Sequence, residues 1–260
     1  MPTTAPVDQP YQAHGDDLEE MIIHPSTAED PFADVKRAIV VCAHADDLET
    51  MMGGTAALLT TRGIEMFELI CTRGDLGSHD PDYTRQTLSE ARRAEAERGA
   101  SLLGVGEVVV LDYPDGELEP SLELRAQIAL YYRRWQPDAL FTFDPSWAGQ
   151  IHPDHRAVSR AAIDAIMPSK MPLYRPEQLT DEGVAVGKIS RAYLFSPADV
   201  SFFVDVTGIY NRKVEASMAH MSQFPEDKNL DWMRQIDSEA AKQAGSEGRY
   251  MEKFARLDLW

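Results

Sequence analysis

From Lys36 onward, short β-branched apolar runs alternate with longer helical patterns, and no other feature of the chain narrows its folds as much. Ala38-Ile39-Val40-Val41-Cys42-Ala43 reads as a strand buried on both faces. Leu48–Arg62 follows as a helix, with Gly63 as its stop. Strand signals recur at Glu65–Thr72, Glu107–Leu111 and Asp138–Phe143, separated by helical patterns at Arg85–Leu103 and Ser121–Trp135. A βαβαβαβ order calls for right-handed crossovers. The expected fold is therefore α/β: a Rossmann-like, mostly parallel sheet with helices on both faces and a ligand crevice at the carboxyl ends of the strands. A helix at His155–Met167, a Pro-rich connection, strands at Arg191–Phe195 and Phe202–Val206, and helical patterns at Ile209–Met221 and from Leu230 onward complete the reading as extra C-terminal strands and helices.

Residues 1–34 hold five prolines and sustain no period of 2 or 3.6, so they read as an arm, with Met21-Ile22-Ile23 as a small apolar anchor. No linker splits the remainder, and residues 35–260 are expected to form one domain. The longest apolar runs fall far short of the roughly 18 residues of a membrane span. A net charge of −18 opposes binding to phosphate backbones or anionic lipid, so neither nucleic acid nor a membrane is an expected partner. Cys42 and Cys71 sit in apolar strand-like segments without a disulfide pattern, and no basic-then-apolar leader is present, which points to the cytoplasm.

Two polar clusters interrupt this apolar frame at strand ends. Ala43-His44-Ala45-Asp46-Asp47-Leu48-Glu49 follows the first strand. His44 and Asp47 are residue types that bind a borderline divalent metal such as zinc, which leaves Asp46 to accept a proton. The plainer alternative is a helix N-terminus capped by Asp46 or Asp47. His152-Pro153-Asp154-His155 follows the strand ending at Phe143. One of its histidines could complete a metal site, and the other, held by Asp154, could act as an acid or oxyanion stabiliser. Here the plainer alternative is a surface turn. Two such clusters at equivalent crevice positions favour the metal.

These residues carry a family resemblance: the chain resembles the LmbE/PIG-L-like zinc deacetylases. The family signature Ala-His-Pro-Asp-Asp followed by Gly-Gly corresponds to Ala43-His44-Ala45-Asp46-Asp47 and Gly53-Gly54-Thr55. Thr72-Arg73-Gly74-Asp75-Leu76-Gly77-Ser78, Arg92-x-x-Glu95, Tyr113-Pro114-Asp115-Gly116, the His152-to-His155 cluster and His220-Met221-Ser222-Gln223 follow in the family's order. The resemblance spans roughly residues 36–224 and rests on six ordered motifs, each weak alone. It implies His44, Asp47 and His155 as metal ligands, with Asp46 as general base. It also implies His152 as oxyanion stabiliser or proton donor, with Asp154 orienting it and favouring its charged form. Arg92 and Asp115 would contact substrate hydroxyl groups, although an ordinary helix ion pair or turn would also place such residues there. The cofactor would be one Zn²⁺ per chain, with Fe²⁺ or another divalent metal as the alternative, and the chain would assemble as a homo-oligomer.

The implied activity is removal of the acetyl group from an N-acetylated amino sugar or its conjugate. Competing readings are a metal-dependent hydratase of an unsaturated carboxylic acid, which would need Arg73 and Arg92 as a carboxylate clamp, and a sugar-binding module without catalysis. Departures from the family pattern are Ala45 in place of proline, Leu48 with Glu49 one place later, and Gln150 where some relatives carry a tyrosine. His220 fits a packing role as well as a functional one. His14, His24 and His79 have no ligand-like neighbours, with His79 a candidate for the mouth of the site, and Cys42 and Cys71 read as core residues.

Overall fold

A computed structural model describes residues 22–23, 30–225 and 230–259. The first long strand, β2 (Arg37–Cys42), is buried from Ala38 onward, as its continuous apolar run requires. It pairs in parallel with β3 (Glu65–Thr72), which pairs with β4 (Glu107–Tyr113). On its other side β2 pairs in parallel with β5 (Ala139–Phe143), and β5 with β6 (Arg191–Phe195). Strand order therefore reverses between β2 and β5, and the crevice opens there.

Helices α1 (Asp47–Thr61), α2 (Arg85–Leu103), α3 (Leu122–Trp135) and α4 (Pro153–Lys170) make the crossovers. Local signals set their ends. Thr84 and Thr87 close a reciprocal capping box at the start of α2, Gly104 ends it in the left-handed region, and Ser121 caps α3. A short α5 (Pro176–Asp181) lies in the Pro-rich connection, and α6 (Tyr210–Met218) packs on α1 and α2.

The expectation of helix from Leu230 onward holds only for α7 (Asp231–Gln243). The chain then returns as a strand, β8 (Met251–Asp258), inserted antiparallel between β6 and β7 (Phe202–Asp205). Met251, Phe254 and Leu257 recur every three residues, and Glu252 is buried where an alternating strand would carry an apolar side chain, so the segment lacks a period of 2. A two-residue strand, β1 (Ile22–Ile23), pairs with β7 at the far edge, at the apolar anchor of the arm; Met21 lies outside the described residues. Phe32 is also core: its ring packs against Tyr193 and Phe202 at 5.0 and 5.6 Å. The apolar interior thus begins before Lys36.

Candidate active site

The turn after β2 is built by its own carboxylate. Asp47 Oδ2 accepts the backbone N–H groups of Ala43 (3.0 Å) and His44 (2.9 Å), while the Thr50 hydroxyl donates to the Asp46 carbonyl (2.8 Å). These bonds hold the loop without the proline that Ala45 replaces. Asp46 is left half-buried with its side chain turned elsewhere. Its Oδ1 accepts from Arg92 Nη2 at 2.8 Å, and Arg92, itself buried, donates to the Gly74 carbonyl (3.3 Å) and lies 3.6 Å from Asp115. Gly74 has a φ of +63°, and a Cβ there would sit 2.9 Å from the Arg92 side chain. Only glycine lets the loop after β3 cross this guanidinium.

The loop after β5 meets this turn from the other side of the switch point. Helix α4 begins at Pro153, two residues earlier than the pattern suggested, so His152 is its N-cap and Nδ1 of His152 accepts the Asp154 N–H at 3.2 Å. The Asp154 carboxylate does not orient His152, as the family resemblance implied. It is fully buried, accepts the N–H groups of Gly116 (2.7 Å) and Leu118 (3.1 Å), and meets His44 Nε2 at 3.2 Å. Residues two apart at the start of a helix point in different directions, so Asp154 finds its partners on the loop after β4. Burial and the neighbouring His44 and His155 imidazoles hold His152 below its ordinary pKa, so the structure does not favour its charged form.

Three side chains converge in the crevice, Asp47 through both of its carboxylate oxygens. His44 Nδ1 lies 3.0 Å from His155 Nε2, His155 Nε2 lies 3.2 Å from Asp47 Oδ1, and His44 Nδ1 lies 3.7 Å from Asp47 Oδ2. Ligands held tetrahedrally at about 2.0–2.2 Å from zinc are separated by about 3.3 Å, so the spacing and donor types fit such an ion. The tautomer fits as well. Nε2 of His44 faces two carboxylates, Asp154 and Asp115, each at 3.2 Å, so it carries a proton and leaves the Nδ1 lone pair facing the crevice. Without a metal, burial lowers the His44 pKa but is outweighed by hydrogen bonds to Asp115, Asp154 and Asp47, which raise it well above its ordinary value and draw a second proton to Nδ1; a metal ion there would take that proton's place. In return, burial of Asp115 and Asp154 is outweighed by His44, and both carboxyls lie below the usual range. The His152 ring completes the group, 4.6 Å from both the His44 and His155 rings.

A cavity of about 510 Å³ opens over these atoms, lined by all of the candidate site residues except Asp154, which lies beneath it. Sequence reasoning missed the part of the wall formed by Thr50, Met51, Phe224 and Trp232, and found Gln223 only as part of the His220-to-Gln223 motif. The one available signal was Trp232, a large aromatic at the polar start of a helix. Arg73 does not line the cavity. It pairs with Asp112 (2.9 Å) and Asp75 (3.4 Å), and so is not placed to clamp a carboxylate in the crevice. His220 is buried with Nε2 at 3.2 Å from Glu49, behind the site. Exposed His79 borders a neighbouring hollow that shares Gly77 and Gln223 with the site. His14 and His24 lie outside the described residues. Cys42 and Cys71 are buried, with thiols pushed up by burial, and so are core residues.

Among the described residues no helix is long and apolar enough to cross a membrane. Residues 39–166 match the family described as PIG-L: GlcNAc-PI de-N-acetylase. Over 198 residues, 76% of this chain and 74% of its relative, the sequence is 32% identical to the diacetylchitobiose deacetylase of Thermococcus kodakarensis. It is 28% identical over 193 residues to a probable N-acetyl-α-D-glucosaminyl L-malate deacetylase 2 of Bacillus cereus, covering 72% of this chain and 84% of that one. The fold matches the N,N'-diacetylchitobiose deacetylase of Pyrococcus horikoshii, complexed with its inhibitor MPG, with a TM-score of 0.83, 32% identity, and coverage of 88% and 86% of the two chains. The family match, the fold match and the similarity over most of both chains lead to one conclusion: the chain belongs to the LmbE/PIG-L family of de-N-acetylases.

Proposed function

We propose that the protein hydrolyses the acetamide of an N-acetylated amino sugar or its conjugate, as the names of its relatives describe for diacetylchitobiose and N-acetyl-α-D-glucosaminyl L-malate. The convergence of His44 Nδ1, Asp47 and His155 Nε2 beside Asp46 carries this reading. His44, Asp47 and His155 would hold one divalent metal, zinc by its donor set and Fe²⁺ as the alternative, which when bound polarises a carbonyl oxygen and makes water more acidic.

The chain's own residues divide the remaining work. Asp46 accepts a proton from the attacking water and returns it to the amine nitrogen as the C–N bond breaks. Arg92 fixes the orientation of that carboxylate through Oδ1. Neutral His152, whose Nδ1 accepts from the Asp154 N–H, carries its proton on Nε2 and can donate it as a hydrogen bond to the developing oxyanion. Arg92 and Asp115 present polar atoms to the hydroxyl groups of the sugar. Asp154 holds His44 rather than touching substrate, which makes it a positioning residue. A small neutral sugar, a cytoplasmic address and a homo-oligomeric assembly complete the proposal. Amine release from N-acetylglucosamine conjugates, measured with Zn²⁺, Fe²⁺ or Co²⁺ added to chelator-treated protein, tests it. Metal-dependent acetate and amine release is expected, and its absence across the conjugates would remove the reading.

A further inference from the structure

A second cavity, of about 250 Å³, adjoins the first and shares Thr50, Met51, His155 and Trp232 with it. The two extend to opposite flanks of His155. The first reaches Leu76, Gly77, Arg92 and Asp115 on the β3 and β4 side, whereas the second reaches Phe143 in β5, Ser196 after β6, and Met233, Ile236 and Ala240 on α7. Nothing in the proposed deacetylation of a sugar uses this second space.

Most of the polar side chains in its walls, Lys253 and the two tryptophans aside, are engaged by the protein itself. Glu252 accepts the N–H groups of Gly54 (3.0 Å) and Thr55 (2.7 Å) and pairs with Lys213 (2.8 Å). Asp237 Oδ2 accepts from Tyr210 (2.9 Å) and Lys213 (2.7 Å). The Ser196 hydroxyl is directed at the Met51 sulfur (3.4 Å), and Gln150 Oε1 accepts the His152 N–H (3.2 Å). A saccharide brought here would lose water from its hydroxyl groups while gaining few matched partners, at a cost per group that an alkyl chain avoids. Met51, Phe143, Met233, Ala240 and Met251 supply the apolar contact that such a chain needs.

The direction of the amide then decides what enters. With the sugar on the flank of Arg92 and Asp115, the other substituent of the carbonyl carbon faces the second cavity. We propose, on the basis of the function given above, that this cavity is an acyl subsite and that the protein hydrolyses N-acylated amino sugars with acyl chains longer than acetyl. The reaction adds water across the amide: the C–N bond breaks, a C–O bond forms, a fatty acid leaves and the amine takes the proton. An apolar cavity of about 150 Å³ takes up benzene, so a chain of roughly six carbons fits the space available.

The test uses the full-length, zinc-loaded protein and compares kcat/KM for amine release from N-acetyl-, N-butanoyl- and N-hexanoylglucosamine. Each methylene moved from water into the cavity is expected to raise kcat/KM by up to about fourfold. The hexanoyl substrate should therefore exceed the acetyl one, and a value at or below the acetyl one would overturn the acyl subsite. Ala240→Leu, which fills the cavity, should lower the hexanoyl-to-acetyl ratio by about tenfold or more. Ile236→Trp, at a half-exposed position, serves if the first variant does not fold. An unchanged ratio in a folded variant would also overturn the proposal. Release from the acetyl sugar alone removes only the acyl subsite, whereas no release from any of the three removes the deacetylation reading and this one with it.

Discussion

Asp46 and Asp47 are adjacent and chemically identical, yet they meet different partners. Asp47 is fixed by two backbone N–H groups and His155, while Asp46 is held by Arg92 alone among the described contacts of its side chain. Asp46→Asn is expected to keep its metal and lose about 10²–10⁴ in kcat, because the amide retains size but cannot accept the proton. Elemental analysis alongside steady-state kinetics checks both halves, and near-parental turnover with metal bound would reassign the proton. Gly99 makes a second residue-scale case. It lies inside α2, where an alanine ordinarily stabilises by about 1 kcal/mol. A Cβ here, however, would lie 2.4 Å from Glu49 Oε1 and 2.9 Å from His220 Nε2. Gly99→Ala should therefore destabilise by roughly 1–3 kcal/mol in denaturant titrations; a gain would show that the buried Glu49–His220 pair can move aside. The spacing of His44 and Asp47 was readable in sequence. Asp154 as the partner of His44 was not, because 110 residues separate them.

At the scale of elements, α1 is two helical segments joined at Met52, whose φ is −146°. The second segment starts at the glycines that sequence reading noted only as a motif, and its free N–H groups at Gly54 and Thr55 are satisfied by Glu252 from β8. Lys213 of α6 neutralises Glu252 and bonds Asp237 of α7. A single buried network thus ties the helix that follows the catalytic turn to three C-terminal elements. Burial, reinforced by Glu252, pushes the Asp237 carboxyl up to about 6 against the pull of Lys213. A raised acid keeps its proton in the folded state after the unfolded chain has released it. Its stabilising contribution is complete below about pH 4 and is lost as pH rises through about 6. Asp237→Asn does not titrate, so the Tm of the variant relative to the parent should become more favourable between about pH 4 and 7. A pH-independent difference would show that Asp237 stays ionised throughout.

At the scale of the molecule, eight strands among the described residues form one sheet, and the site sits where its order reverses, between the loops after β2 and β5. Three loops distant in sequence, after β2, β4 and β5, therefore bring carboxylates and imidazoles together: Asp46, Asp47, Asp115 and Asp154 around His44, His152 and His155. A metal that binds only the folded arrangement stabilises it by mass action, by about 4 kcal/mol at a thousandfold excess over Kd. Chelation should lower Tm by several degrees, on the order expected for a chain of this size, and Zn²⁺ should restore it. An unchanged Tm after verified metal removal would mean that the site contributes no binding energy to the native state.

The sequence by itself determined the α/β class, the parallel strands β2 to β6, the position of the crevice and the motifs that line it. Each depends on local signals: buried β-branched runs, glycine stops, helix caps and polar clusters at strand ends. Tertiary structure alone decided that Asp154 serves His44, that Glu252 caps a helix, that the last segment is a strand, and that Trp232 and Met51 separate two cavities. Those outcomes depend on contacts between segments far apart in the chain, where hydrogen-bonding geometry and exclusion of water, rather than local periodicity, select the partner.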